Sequence, residues 1–197
     1  NEWTAVTGAN GSGKTQLLGF LLMHLWKMGH ASCIASMEVH PRKAIEHLLA
    51  QATGEKRPAK AKALAAIDWM RGGFWFYDRV GIADWKDVLA AFKYAYRRYG
   101  VRFFVIDSWM KLGIDPEDLK IQGVVCNGIS DFVAEHDTHV FVVAHPRKGK
   151  DEERPVGKMD IKGSGQLTDE AHNVWVVWRN KAKEKKLEIE INNKRSD

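Results

Sequence analysis

Two patterns of apolar residues alternate along this chain. Short, nearly unbroken apolar runs are followed by longer segments in which apolar residues recur at helical spacing. A short unbroken run reads as a strand covered on both faces, and a recurring pattern as an amphipathic helix. WTAVT is the first strand. Residues 15–28 follow as a helix, with Leu17, Leu18, Leu21, Leu22, Leu25 and Met28 on its apolar side and Gly29 as its stop. ASCIASM reads as a buried strand. Helices are predicted over 41–53, where Pro41 suits the first turn, and over 60–71, with the charged connector GEKRPAKAK leading into the second. FWFYD is a strand. Asp84 then caps a helix over 85–99, whose apolar positions are Trp85, Val88, Leu89, Phe92, Ala95, Tyr96 and Tyr99. RFFVID is a strand ending on an acid, 123–136 a helix, and HVFVVAH another strand. A polar stretch, 145–165, interrupts the series. NVWVVWR and KLEIEIN close it as strands, the second alternating strictly as a half-exposed strand does.

Alternating strands and helices with unbroken apolar strands predict an α/β fold. The expected form is a doubly wound, mostly parallel sheet with helices on both faces. The length, 197 residues, suits one domain with a sizeable core, spanning 1–197. The chain opens on its first strand and stops just after its last, so this domain is expected to be excised from a longer protein. No apolar run has the length of a membrane span, and no leader pattern is present, so the expected setting is cytoplasmic, with no membrane partner. Cys33 and Cys126 both lie in apolar stretches and read as buried thiols rather than a disulfide.

The chemistry begins directly after the first strand. GANGSGKT, from Gly8 through Ala9, Asn10, Gly11, Ser12 and Gly13 to Lys14 and Thr15, fits the phosphate-binding pattern G-x-x-x-x-G-K-[ST]. Its glycines let successive backbone N–H groups turn inward onto phosphate oxygens. Lys14 can reach the outer phosphates, Thr15 can ligate Mg²⁺, and the helix that follows offers its positive end. A strand before the motif and a helix after it give the context the pattern demands. The expected ligands are ATP, or another NTP, and Mg²⁺.

A phosphate loop of this kind needs a carboxylate for its metal, and Asp107 at the end of RFFVID supplies one at the carboxyl edge of the sheet. Glu38, in SMEVHP, ends the strand after the loop's helix at that same edge, where a general base has access to a water. The alternative for Glu38 is to cap the helix that starts near Pro41. His145 ends HVFVVAH, again at that edge, where a polar group can contact the terminal phosphate.

The net charge is +5, and its placement matters more than its size. Residues 145–165 carry six Lys/Arg against four acids and almost no apolar side chain. Such a segment is either a solvated loop or a nucleic-acid contact.

Taken together, VTGANGSGKT, SMEVHP, FFVIDSWMKLG, VFVVAHPRKG and IKGSGQLTDEAHNVWVVWRNK resemble the RecA-fold motor domain of the DnaB-like hexameric replicative helicases, phage-type members above all. The resemblance implies a RecA-like P-loop NTPase fold and a set of roles. Lys14 and Thr15 bind nucleotide and Mg²⁺, Asp107 is the acid of the metal site, Glu38 the catalytic base, and His145 the γ-phosphate sensor. The loop opened by Pro146, Arg147 and Lys148 faces the channel of a homo-hexameric ring and touches single-stranded DNA. Arg147, Lys148, Lys150, Lys158 and Lys162 are its expected phosphate contacts. An arginine finger follows the final strand in this family. Arg195 is the best match for it, with Asn193 where a basic residue often stands and Lys194 adjacent, and Arg179 is its rival. A primase or a loader is a possible partner of the whole protein. Two other readings stay open: a RecA- or RadA-like recombination ATPase, and a non-catalytic loader or regulator with the same fold.

Overall fold

The computed structural model describes residues 1–146, 165–180 and 183–184. Six strands form one sheet: β1 (Glu2–Thr7), β2 (Ser32–Ser36), β3 (Phe74–Phe76), β4 (Phe103–Asp107), β5 (His139–Val143) and β6 (Asn173–Val176). Their spatial order is β3-β2-β4-β5-β1-β6, and every pairing is parallel. The helices are α1 (Lys14–Lys27), α2 (Pro41–Thr53), α3 (Lys60–Met70), α4 (Trp85–Tyr99), α5 (Leu119–His136) and α6 (Gly165–Glu170). This is the doubly wound parallel architecture that the alternating pattern predicts.

The apolar strands are continuous because each face of the sheet has its own cover. One face carries Trp3 and Ala5 of β1, Cys33 and Ala35 of β2, Phe104 and Ile106 of β4, and Val140 and Val142 of β5, packed with α4 and α5. The other carries Val6, Ile34, Val105, Phe141 and Val143, packed with Leu18 and Leu22 of α1, Leu48 of α2 and Met70 of α3. Neighbouring residues thus go to opposite cores, as the two-residue period of a strand requires.

Most elements begin and end where the local chemistry puts them. The Asp84 carboxylate accepts from the Lys86 N–H at 2.8 Å and caps α4. α5 starts at Leu119, four residues earlier than the spacing of its apolar residues predicts. The cause is Asp118, whose carboxylate accepts from both the Lys120 and Ile121 N–H groups at 3.0 Å. A cap of this kind contributes about 1 kcal/mol. β3 is shorter than FWFYD because it is an edge strand paired only with β2 over three residues. α6 and a 3-10 turn at Trp109–Lys111 are additional short elements that the periodicity does not reveal. The strand expected at KLEIEIN lies outside the described residues.

Both cysteines are free and buried, as the sequence predicts. Burial pushes each thiol up to about 12, with the charge of Glu170 adding to the effect at Cys126. The thiolate is the reactive form, so in the native protein at pH 8 neither thiol is expected to react appreciably with a disulfide reagent such as DTNB. Unfolding in guanidinium should release both at once. Rapid labelling of the native protein would show that one of the two cores opens readily.

Candidate nucleotide site at the carboxyl edge of the sheet

Parallel pairing brings the ends of β2, β4, β5 and β1 to one edge, in that order. Register aligns them closely: Ser36 pairs with Asp107, Asp107 with Val143, and Val143 with Val6. The segments that leave these strands carry Glu38, then Asp107 and Ser108, then His145, then the glycine-rich loop. Glu38 and His145 each lie two residues past the end of their strand, in the connection rather than in the ladder itself.

The loop from Gly8 to Gly13 folds back on itself and delivers the chain into α1. Ser12 N–H donates to the Ala9 carbonyl at 3.1 Å, and Leu17 N–H to the Gly13 carbonyl at 2.8 Å. Gly13 precedes the helix with φ 101°, a left-handed conformation that only glycine adopts at little cost. Gly8 is constrained twice. Its φ is 151°, and a Cβ built there would stand 2.1 Å from the Val177 carbonyl oxygen just beyond β6. Val177 N–H donates in turn to the Thr7 carbonyl at 2.7 Å, so the loop's first residue is pressed against the neighbouring chain segment.

Lys14 is buried, 7% exposed, and its Nζ donates to the Gly8 carbonyl at 2.7 Å and the Ala9 carbonyl at 3.1 Å. The ammonium therefore sits inside the loop. Burial pulls its pKa below the ordinary value, against the opposing charges of Asp107 and Glu38. Thr15 donates its hydroxyl to Asp107 Oδ2 at 3.4 Å, across the space between α1 and β4. Asp107 is itself buried, 7% exposed. Burial pushes its carboxyl above the usual value, and the nearby Glu38 adds to this; His145, the Thr15 hydroxyl and Lys14 act the other way.

Glu38 is half-buried and its Oε1 accepts two bonds. Ser108 Oγ donates at 2.6 Å, and His145 Nε2 stands at 3.1 Å from the same oxygen. Burial raises the Glu38 pKa, but the Ser108 and His145 hydrogen bonds, with the charges of His145 and Lys111, outweigh it and hold the carboxyl below its usual range. Glu38 does not cap α2. That position belongs to His40, whose Nδ1 accepts from the Arg42 N–H at 3.3 Å.

These residues fit a nucleoside triphosphate with a divalent cation. The Ser12 hydroxyl is buried inside the loop with no partner among the described residues, as an acceptor or donor waiting for a ligand would be. The two hydrogen bonds of Lys14 go to neutral carbonyls, which a phosphate oxygen can replace. The oxygen donors Thr15 and Asp107 are a hard-cation set, and a Mg²⁺ site built on one carboxylate is ordinarily completed by phosphate oxygens and water.

The glycine-rich loop, Lys14, Thr15, Asp107, Glu38 and His145 thus meet at one edge. Sequence reasoning gives Ser108 no role; the one signal for it is a hydroxyl directly after the strand-end acid. Arg147, Lys148, Lys150, Lys158, Lys162 and Arg195 lie outside the described residues. Arg179 follows β6 and its Nε donates to both Glu184 carboxylate oxygens at 2.7 Å.

The arrangement defines a RecA-like ATPase fold, and known proteins agree with it. A solved structure of the ATPase domain of a DnaB-like helicase superposes with a TM-score of 0.74 at 16% identity, covering 88% of this chain and 68% of that one. The Twinkle homolog protein, chloroplastic/mitochondrial, of Arabidopsis thaliana is 26% identical over 201 residues, which take in 91% of this chain and 28% of that protein. The chain therefore spans less than a third of the length of that curated relative. No family model matches the chain. Its likeness to the RecA-fold ATPase domain of the DnaB-like helicases, legible in the motifs, extends to the fold.

Replacing Gly8 by alanine is expected to disrupt the loop. The substitution adds about 1–3 kcal/mol of backbone strain to a direct clash with the Val177 carbonyl. A lowered melting temperature, together with loss of binding to a fluorescent ADP analogue, is the expected result. A Gly8→Ala protein that melts and binds as wild type would show that the loop does not need this close approach.

Proposed function

We propose that this chain is the ATP-hydrolysing motor of a DNA helicase that acts as a homo-hexameric ring on single-stranded DNA. The observation that carries the reading is the convergence of Lys14, Thr15, Asp107, Glu38 and His145 on one sheet edge. A non-catalytic module with this fold has no need for a carboxylate held ionised beside a buried acid. The likeness to a Twinkle homolog favours a helicase over a recombination ATPase.

In this reading the loop's N–H groups and Lys14 hold the phosphates, Lys14 exchanging the Gly8 and Ala9 carbonyls for phosphate oxygens. Thr15 and Asp107 hold Mg²⁺, which when bound offsets phosphate charge and orients the γ-phosphoryl group. Glu38, kept ionised by Ser108 and His145, accepts a proton from the attacking water while the bond from the γ-phosphorus to the leaving ADP oxygen breaks. His145 is placed to exchange Glu38 for a γ-phosphate oxygen and so to register whether that group is present. It directly precedes the basic segment, in which Arg147, Lys148, Lys150, Lys158 and Lys162 are the proposed contacts to DNA phosphates. Contacts of that kind weaken with salt and carry little sequence preference. Arg195 is the proposed arginine finger toward a neighbouring subunit's ATP, with Arg179 as the second candidate. A finger supplied in trans makes hydrolysis depend on docking between subunits.

A primase or loader as partner and a cytoplasmic setting belong to the same proposal. Among the described residues no helix is long and apolar enough to cross a membrane. The Arabidopsis relative carries an organellar name, so the fold does not bring a compartment with it.

The test is ATP hydrolysis by the full-length protein with and without single-stranded DNA, followed by unwinding of forked duplexes. DNA should stimulate hydrolysis. Lys14→Ala should abolish nucleotide binding. Glu38→Gln should keep binding while kcat falls by about 100-fold or more, the usual contribution of a general base. Normal hydrolysis by Glu38→Gln would remove Glu38 from the chemistry, and hydrolysis indifferent to DNA would remove the helicase reading.

A further inference from the structure

We propose that Ser108 is a positioning residue for Glu38, fixing which carboxylate oxygen is presented to the attacking water. The inference rests on the reading of Glu38 as the base and assigns a role to a residue that the sequence motifs leave without one.

Ser108 directly follows Asp107 at the end of β4 and is fully buried. Its Oγ donates to Glu38 Oε1 at 2.6 Å, and His145 Nε2 meets that same oxygen at 3.1 Å. Two donors on one oxygen orient the carboxylate. Among the described residues neither donor engages Oε2, whose lone pairs are left for a water. The main chain is tied at the same place, because Met37 N–H donates to the Asp107 carbonyl at 2.8 Å. That bond sets the backbone just before Glu38, and the Ser108 hydroxyl sets its side chain. Asp107 and Ser108, adjacent in sequence, thus serve different partners: one accepts from Thr15, the other donates to Glu38. Their adjacency holds acid and base at a fixed separation, which a reaction sensitive to misplacement of its groups requires.

The serine also differs from the histidine in what it can do. His145 is half-buried at the open side of the site, and a phosphate oxygen entering there can compete for its Nε2. Ser108 is sealed behind Glu38 and has no such competitor. When His145 turns to another partner, Ser108 alone keeps the carboxylate in place.

The test compares Ser108→Ala, which removes the hydroxyl, with Ser108→Cys, which keeps nearly the same volume but offers only a weak donor. In the full-length protein both variants should lower kcat for ATP by about tenfold or more, the scale of a misplaced catalytic group. KM for ATP and the affinity for a fluorescent ADP analogue should stay within about twofold of wild type, because Glu38 does not hold the nucleotide. In a Glu38→Gln background, Ser108→Ala should cause little further loss. A readout independent of turnover is the ¹⁵N spectrum of the histidine rings in the nucleotide-free protein. The His145 Nε2 resonance, assigned with His145→Gln, should move in both serine variants. Unchanged kcat in Ser108→Ala, wild-type behaviour of Ser108→Cys, a full additional loss on top of Glu38→Gln, or an unmoved His145 signal would each overturn the proposal. Normal hydrolysis by Glu38→Gln would instead overturn the reading of Glu38 on which it rests.

Discussion

Because every strand of the sheet pairs parallel with its neighbours, the chain must leave each strand at the same edge and return by a helix to the other. The polar connections that leave the strands are then gathered in one line, spaced by the distance between strands. Four adjacent connections carry the chemistry-bearing groups: Glu38 after β2, Asp107 and Ser108 after β4, His145 after β5, and the glycine-rich loop after β1. Outside the loop itself, only Asp107 and Ser108 are neighbours in sequence. The site exists because the ladder between Ser36, Asp107, Val143 and Val6 is in register. A slip in that register would turn both apolar faces inside out as well, so core and site are specified by the same pairing.

Charge is arranged at this edge with little water to dilute it. Asp107 is buried and near Glu38, so the two carboxylates repel, and burial disfavours both of their ionised forms. The outcomes diverge because the partners differ. Glu38 has two direct hydrogen bonds to one oxygen and is held ionised. Asp107 has one long bond from Thr15 and is pushed the other way. Lys14, buried among carbonyls, is likewise short of a strong partner. An under-neutralised acid and a buried ammonium on the two sides of the loop are what a bound cation and a bound polyanion would each relieve.

Much of this is legible in the sequence because its signals are local. The phosphate loop needs a strand, glycines and a helix in immediate succession. The helices over 41–53 and 85–99 have the same bounds in the structure as in the pattern, since Pro41 and Asp84 mark their starts. Legibility falls where a boundary depends on something other than periodicity. α5 starts early because Asp118 caps it, although its first turn contains Lys120, Gln122 and Gly123, which hide the apolar pattern. β3 is short because an edge strand has one neighbour. The hydroxyl of Ser108 and its sharing of Glu38 with His145 are not readable from spacing, since they depend on how three connections meet above the sheet. That Glu38 leaves the cap of α2 to His40 is likewise a tertiary fact.

The central claim is that these groups form one nucleotide site. Its most direct test is a crystal structure of the protein with a non-hydrolysable ATP analogue and magnesium. Lys14 Nζ should leave the Gly8 and Ala9 carbonyls for phosphate oxygens, Thr15 and Asp107 should face the metal, and Glu38 should stand beside the γ-phosphate with Oε2 toward a water. A nucleotide bound elsewhere, with Lys14 still turned onto its own loop, would contradict it.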